Sequence, residues 1–210
     1  MQPIYLSYHL NEKTPAYGGE EGLIHLERIR SISKGDTSNN MRFILPSHIG
    51  THIDFPFHFS NLGKKLENYP ASFWLFDKVA MIACSVEDIL KEAEMLSVDI
   101  EMLILKTGFG EKRGQRIYWQ SQPVIKHTVA KKLKNLFPKL RVFGFDMISL
   151  TSKLDRPEGK LAHQHFLLEC DILILEDMDL SYLQTSPNKV IVLPLMIEEA
   201  DGAPCTVIAY

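Results

Sequence analysis

The chain of 210 residues is 45% hydrophobic and 23% charged, the balance of one soluble globular domain spanning 1–210. Its 23 Lys and Arg against 26 Asp and Glu leave a net charge of −3, which excludes the electrostatic footprint of a nucleic-acid or anionic-membrane partner. The three cysteines, Cys84, Cys170 and Cys205, are far apart and odd in number, so they suggest a reducing, cytoplasmic setting rather than a disulfide scaffold or a Cys-rich zinc knuckle. The segment Met1–Leu10 lacks the basic and apolar regions of a signal peptide. The run Val190–Ile197, interrupted by Pro194, falls far short of the ~18–20 residues that span a bilayer.

In chain order, strands are predicted at Ile4–Leu6, Leu23–Ile32, Met41–Leu45 and Thr51–Phe59, all rich in β-branched and aromatic residues and separated by Gly, Pro or Asn. Ser85-Val86-Glu87-Asp88 has a capping-box pattern and predicts a helix running to about Leu96. A second helix is predicted after Pro123, with Ile125, Val129, Leu133 and Leu136 on one face, stopping before Pro138. Short apolar strands follow the pattern at Met102–Thr107, Val142–Phe145, Ile172–Leu175, Val190–Leu195 and Thr206–Ala209. Many strands and few helices give an α/β class with helices packed on a mixed (α+β) sheet. The loop Gly108–Gly114 matches neither a phosphate-binding loop nor a dinucleotide fingerprint, and Lys112, Arg113 and Arg116 read as a solvated loop or as attractants for a substrate carboxylate.

Of eight histidines, five fall in two clusters. The first lies in HIGTHIDFPFHF, residues 48–59. Alternate residues of an extended chain face opposite sides. His48, Gly50, His52, Asp54, Pro56 and His58 would then share one side, with Ile49, Thr51, Ile53, Phe55, Phe57 and Phe59 on the other. Imidazole nitrogen and carboxylate oxygen in that density suit Zn²⁺ or Mn²⁺, and a metal with an open position activates water. The second cluster, His163-Gln164-His165, reads as the start of a short helix leading into a buried strand that ends on Glu176. His163 or His165 together with Glu176 could complete a site for a second ion, although Glu176, Asp177 and Asp179 also suit a solvated turn. Cys170, beside this cluster, reads as a buried structural thiol.

The stretch His48–His58, His-x-Gly-Thr-His-x-Asp-x-Pro-x-His, resembles the signature of the cyclase/kynurenine-formamidase family of metal-dependent hydrolases. Tyr5-Leu6-Ser7 with Thr14–Gly19, Leu105–Gly110, Gly144–Ser149, His163–Glu176 and Asp201–Pro204 are similar to that family's other motifs. The resemblance implies a swivelling β/α/β fold, homodimeric or homotetrameric, with one or two Zn²⁺ or Mn²⁺ ions. Carried over by position, His48, His52 and Asp54 hold the first ion, Asp54 and Glu176 bridge, and His58 is the general acid/base. The late histidine ligand falls on His163, with His165 the alternative, because Phe166 and Leu167 then occupy the family's apolar positions.

The implied reaction is hydrolysis of the amide bond in a small aryl formamide such as N-formylkynurenine, a step of tryptophan catabolism. Open alternatives are another cyclic amide, ester or lactone, a metal-binding protein without turnover, and a non-haem iron oxygenase using His48, His52 and Asp54. Tyr17, Phe55 and Trp74, with Phe57 and Phe73, are the aromatic candidates for a substrate pocket.

Overall fold

Apolar strand segments assemble into a nine-stranded mixed sheet in the computed structural model, which describes residues 2–210. In chain order the strands are β1 (Ile4–Tyr5), β2 (His25–Arg30), β3 (Asn40–Ile44), β4 (His52–Asp54), β5 (Leu75–Phe76), β6 (Val79–Ala83), β7 (Met102–Lys106), β8 (Val142–Phe145), β9 (Leu173–Glu176), β10 (Val190–Pro194) and β11 (Gly202–Ala209). The β2 and β3 strands form a separate hairpin. The large sheet runs β5-β10-β11-β4-β9-β8-β7-β6, with β1 also paired to β11.

Pairing along this sheet changes character at β9. From β6 to β9 the neighbours are parallel, and from β9 through β4 and β11 to β5 they are antiparallel. The parallel strands are buried on both faces, which is why Met102–Leu105 and Leu173–Leu175 read as unbroken apolar runs without alternation. Their crossovers carry the helices: α1 (Ile89–Ala93), α2 (Arg116–Gln120), α3 (Thr128–Leu136) and α4 (Arg156–Gln164). The result is a mixed α/β fold, as the composition of elements predicts. No helix among the described residues is long and apolar enough to cross a membrane.

Several predicted boundaries move. The helix expected from Ser85 begins only at Ile89, because the Ser85 hydroxyl donates to the Asp88 carboxylate instead of capping the backbone. On α3, Val129, Ala130 and Leu133 are buried as expected, while Ile125 reaches the core from the loop before it. The α2 segment is not read as helical from sequence, and α4 ends at Gln164, where the sequence reading starts a helix. For α4 the start signal is nevertheless present: Asp155 accepts from the Glu158 amide at 3.1 Å, and Pro157 sits in the first turn.

Candidate metal centre

Three neighbouring strands place the polar side chains. On β4, His52 lies directly opposite Glu176 of β9, while Asp54, two residues along and therefore on the same side, lies opposite Gly202 of β11. Ile53 between them points into the core. The alternation predicted for residues 48–59 thus holds across β4 and fails at both ends. Gly50, at φ +61°, turns the chain before the strand, and a Cβ there would collide with Leu10. Pro56 starts a 3-10 turn over Pro56–His58, since it cannot continue the ladder as a donor. His48 and His58 therefore meet by two bends rather than by strand parity, with ring centroids 4.0 Å apart. Gly202 makes room for them: a Cβ there would collide with the His48 ring.

The late histidine arrives differently from the expectation. His163 sits in the last turn of α4, not at the start of a helix, and the chain continues through a π-helical turn, His165–Glu169. His163 is buried between the carboxylates, whereas His165 turns away to pack against His127 at 4.7 Å and to pair with Glu169.

Asp54 and Glu176, 1% and 3% exposed, are the charged floor of the site. His52 Nε2 is 3.5 Å from Asp54 Oδ1 and 3.4 Å from Glu176 Oε2, and His163 Nε2 is 3.4 Å from both Asp54 Oδ2 and Glu176 Oε1. Each carboxylate therefore presents one oxygen to each imidazole. Three donor groups result among the described residues: His48/His52/Asp54 and Asp54/His163/Glu176, which share Asp54, and the more exposed His48/His58/Asp201.

The imidazole tautomers test whether a cation fits. His52 Nδ1 donates to the Gly50 carbonyl at 2.8 Å and His163 Nδ1 to the Gly159 carbonyl at 2.9 Å. Carbonyls only accept, so in the neutral rings the Nε2 lone pairs face carboxylate oxygens. Lone pairs and anions face each other stably only with a proton or a metal between them. Among the described residues, every ion pair at Asp54 and Glu176 is with an imidazole, and none is with Lys or Arg. The donor set and its missing counter-charge fit a divalent cation.

The same carboxylates set the proton affinity of the imidazoles they face. Burial presses the His163 imidazole down, but Asp54 and Glu176 reverse this and hold it at about 10. His48, between Asp54 and Asp201, is likewise lifted against burial to about 9. Burial acts to raise Asp54, yet His163, His48 and His52 keep it well below the usual carboxylate range.

The site is braced from behind. Glu176 Oε1 accepts from the Leu150 amide at 2.5 Å and the Ser149 hydroxyl at 3.2 Å. Asp177, next in the chain and at φ +49°, is not in a solvated turn: it is 1% exposed and holds Arg113 through Nε and Nη2 at 2.8–3.1 Å. Its Oδ1 also accepts from Tyr118 at 2.5 Å, and Tyr8 lies over the Arg113 guanidinium. Arg113 is thus a structural cation, corrected from a solvated or substrate-attracting one. Asp146 fastens the strand ends by accepting from the Thr107 amide and hydroxyl and the Gly108 amide.

A cleft of about 270 Å³ opens over these groups and is lined by His48, His52, Asp54, His58, His163 and Glu176. Tyr17 is at its rim, with Ile49, Phe59 and Ile148 among its apolar walls. Phe55 and Trp74 do not line it: both are buried in an aromatic cluster with Tyr69 and Phe73, because Phe55 follows Asp54 onto the core side of the chain. They are corrected from substrate contacts to core. Phe57 packs under Lys65, also outside the cleft. Cys170 is buried and belongs to no donor group among the described residues.

Two residues escaped the sequence reading. Phe59, assigned to the apolar side, stacks on His163 at 4.9 Å. Asp201 accepts from His48 Nε2 at 2.9 Å and from His58 Nδ1 at 3.0 Å, both on Oδ2, and from Ser47 Oγ on Oδ1. Burial acts to raise its carboxyl, and those donors bring it down to about 2. Its only sequence signal was its place beside Gly202-Ala203-Pro204, at the head of the strand that pairs with β4.

The Cyclase family model matches residues 4–151. The chain is 32% identical over 205 residues to the kynurenine formamidase of Bacillus cytotoxicus, covering 96% of this chain and 93% of that protein. Against the kynurenine formamidase of Geobacillus thermodenitrificans it is 28% identical over 207 residues, with the same coverage of 96% and 93%. Among solved structures, isatin hydrolase A from Labrenzia aggregata matches with a TM-score of 0.81 at 19% identity, covering 99% of this chain and 93% of that one. An isatin hydrolase bound to the product analogue thioisatinate matches with a TM-score of 0.79 at 17% identity, covering 99% and 91%. At those identities the structural matches establish the shared fold.

Proposed function

The chain belongs to the Cyclase family, and from that premise we propose that residues 1–210 form one metal-dependent hydrolase domain that cleaves the amide bond of a small aryl formamide such as N-formylkynurenine. The observation that carries this reading is the sharing of Asp54 and Glu176, each with one oxygen toward His52 and one toward His163. His48, His52 and Asp54 would hold one ion, and Asp54, His163 and Glu176 a second. Borderline-to-hard nitrogen and oxygen donors without sulfur favour Zn²⁺, with Mn²⁺ the second choice. When bound, the metal supplies Lewis acidity, polarising an acyl carbonyl and lowering the pKa of water to about 7.

The chain's own groups do the rest. His58 lines the cleft with its Nδ1 engaged by Asp201, which leaves Nε2 to handle protons. It takes the proton of the water that adds to the formyl carbon and delivers it to the departing amine nitrogen as the C–N bond breaks. The products are formate and the aryl amine. The Tyr17, Ile49, Phe59 and Ile148 walls bury the aromatic ring and exclude bulk water. The names of the sequence relatives, kynurenine formamidases, support the formamide over other acyl compounds.

Two further parts of the reading concern setting. Exposed Phe43 and Ile44 on the β2–β3 hairpin and exposed Leu193, Leu195 and Met196 offer apolar area for a second copy, supporting a homodimer or homotetramer. The three free cysteines support a reducing, cytoplasmic compartment.

Chelated protein should be assayed with an N-formyl aryl amine and a lactone panel before and after restoring Zn²⁺ or Mn²⁺. Formamide hydrolysis only with metal is expected. Hydrolysis of lactones alone would move the substrate assignment. Oxygen uptake with Fe²⁺, or metal binding with no hydrolysis at all, would overturn the reading.

A further inference from the structure

We propose that Asp201 is a positioning residue that aims two imidazoles through a single oxygen, presenting His48 to the metal and His58 to the substrate. The inference rests on the reading of His48 as ligand and His58 as acid/base, and deepens it.

Asp201 is the residue before β11, and its carbonyl accepts from the Phe55 amide at 3.0 Å, which fixes it beside the end of β4. Ser47 Oγ, 3.0 Å from Oδ1, sets the rotation of the carboxylate. Oδ2 is then left for two ring nitrogens, His48 Nε2 at 2.9 Å and His58 Nδ1 at 3.0 Å. A carboxylate only accepts, so both nitrogens carry hydrogen. The consequence differs for the two rings. His48 is obliged to offer Nδ1, the atom 2.9 Å from Asp54 Oδ1 and within the donor group that includes His52. His58 is obliged to offer Nε2, the nitrogen that a proton acceptor in the cleft needs. A metal-bound imidazole whose other N–H meets a carboxylate is held in one orientation and made more basic, and losing such a partner costs 10–100-fold in metal affinity or activity. An acid/base imidazole held by a carboxylate is kept in its working tautomer in the same way.

One carboxylate thus ties metal occupancy to the state of the proton-transfer group. His58 has no other hydrogen-bonding side-chain partner among the described residues, so Asp201 alone defines its tautomer.

Asp201→Asn tests this, because the amide keeps the shape but can donate to His58 Nδ1 and stabilise the wrong tautomer. The side chain is partly exposed, so the fold should tolerate the change. At saturating Zn²⁺, kcat should fall about 100-fold with KM changed less than about 2-fold. In a His58→Ala background the same substitution should cost less than about 3-fold, since the residue it acts through is gone. In the chelated proteins, Zn²⁺ titration should show the Kd rising about 10-fold or more in Asp201→Asn. Nitrogen-15 NMR of neutral His58 should show the Nδ1–H tautomer in the wild type and its loss in the variant. Wild-type kcat in Asp201→Asn, or an equal loss in both backgrounds, would overturn the proposal. Loss of one bound ion per chain would overturn it too, by making Asp201 a ligand. Full activity in His58→Ala is a different failure: it removes the acid/base reading itself.

Discussion

His52 and Glu176 face each other across neighbouring antiparallel strands, with His52 Nε2 3.4 Å from Glu176 Oε2. The pairing is fixed by register. A slip of one residue would set Glu176 against the core-facing side of β4 and bring Ile53 toward the cleft, so the buried apolar face and the polar face hold each other in place. With His52 Nδ1 donating to Gly50, the facing atoms are a lone pair and an anion, and the same relation is repeated at His163.

The first prediction concerns protons. In the metal-free protein His163 titrates at about 10 and His48 at about 9, so both are cationic at neutral pH. An imidazole ligand must be neutral, and filling both donor groups that share Asp54 with Zn²⁺ at pH 7 should therefore release about two protons, one from each group. Calorimetry in buffers of different protonation enthalpy reads this number, and affinity should climb with pH. Binding without proton release would contradict the arrangement.

Stability of the chelated protein has the opposite pH sense. The raised folded-state values mean that the protonated imidazoles stabilise the fold fully below about pH 6.5, the ordinary histidine value. That contribution is lost as pH rises through about 9 to 10. Thermal melts of metal-free protein should fall from pH 7 to 10, and the fall should flatten when Zn²⁺ is present.

Glu176→Gln removes one charge from the shared floor. At free Zn²⁺ about 100 times Kd, linkage adds about 2.7 kcal/mol to the wild type, or about 5–10 °C in Tm for a chain of this size. The variant should lose most of that rise, and its chelated Tm should itself fall, because Glu176 is one of the two carboxylates that hold protonated His163. An undiminished rise would mean that Glu176 does not contact the metal.

Arg113→Met leaves the buried Asp177 carboxylate without its cation, and breaking a buried pair costs about 3–5 kcal/mol. Adding Asp177→Asn should recover part of the loss. Urea unfolding measures both, and a single-variant loss below about 0.5 kcal/mol would show that the pair does not brace the end of β9.

The aromatic residues divide by location. Tyr17→Ala should raise KM several-fold with little change in Tm, since Tyr17 is 37% exposed at the cleft rim. Trp74→Phe should lower Tm and leave KM within about 2-fold, as expected of a core substitution that creates a cavity. Parallel melts and steady-state assays separate the two.

Much of the centre was legible because its chemistry is local. His48, His52, Asp54 and His58 lie within eleven residues, and a signature that dense carries residue types and spacing together. What failed was geometry: period-two alternation describes only His52–Asp54, and Gly50 and Pro56 supply the bends that spacing alone does not show. Phe166 and Leu167 single out His163 over His165, although its helix, opened by Asp155 and Pro157, ends where the sequence reading starts one. Asp201 and Arg113 were harder for a physical reason. Their partners lie 143 and 64 residues away, so no local pattern announces a hydrogen bond that only tertiary packing creates. Phe55 and Trp74 show the converse, since apolar aromatics near a site enter the core more readily than a cleft.

The most direct test follows formate release from an N-formyl aryl amine while Zn²⁺ is titrated into fully chelated protein. The rate should be negligible without metal, rise with added ion and saturate at a fixed stoichiometry of one or two per chain, held by the two donor groups that share Asp54. Undiminished turnover in the metal-free protein, or no turnover once metal is stoichiometrically bound, would contradict the assignment of this cleft as a metal-dependent formamide hydrolase.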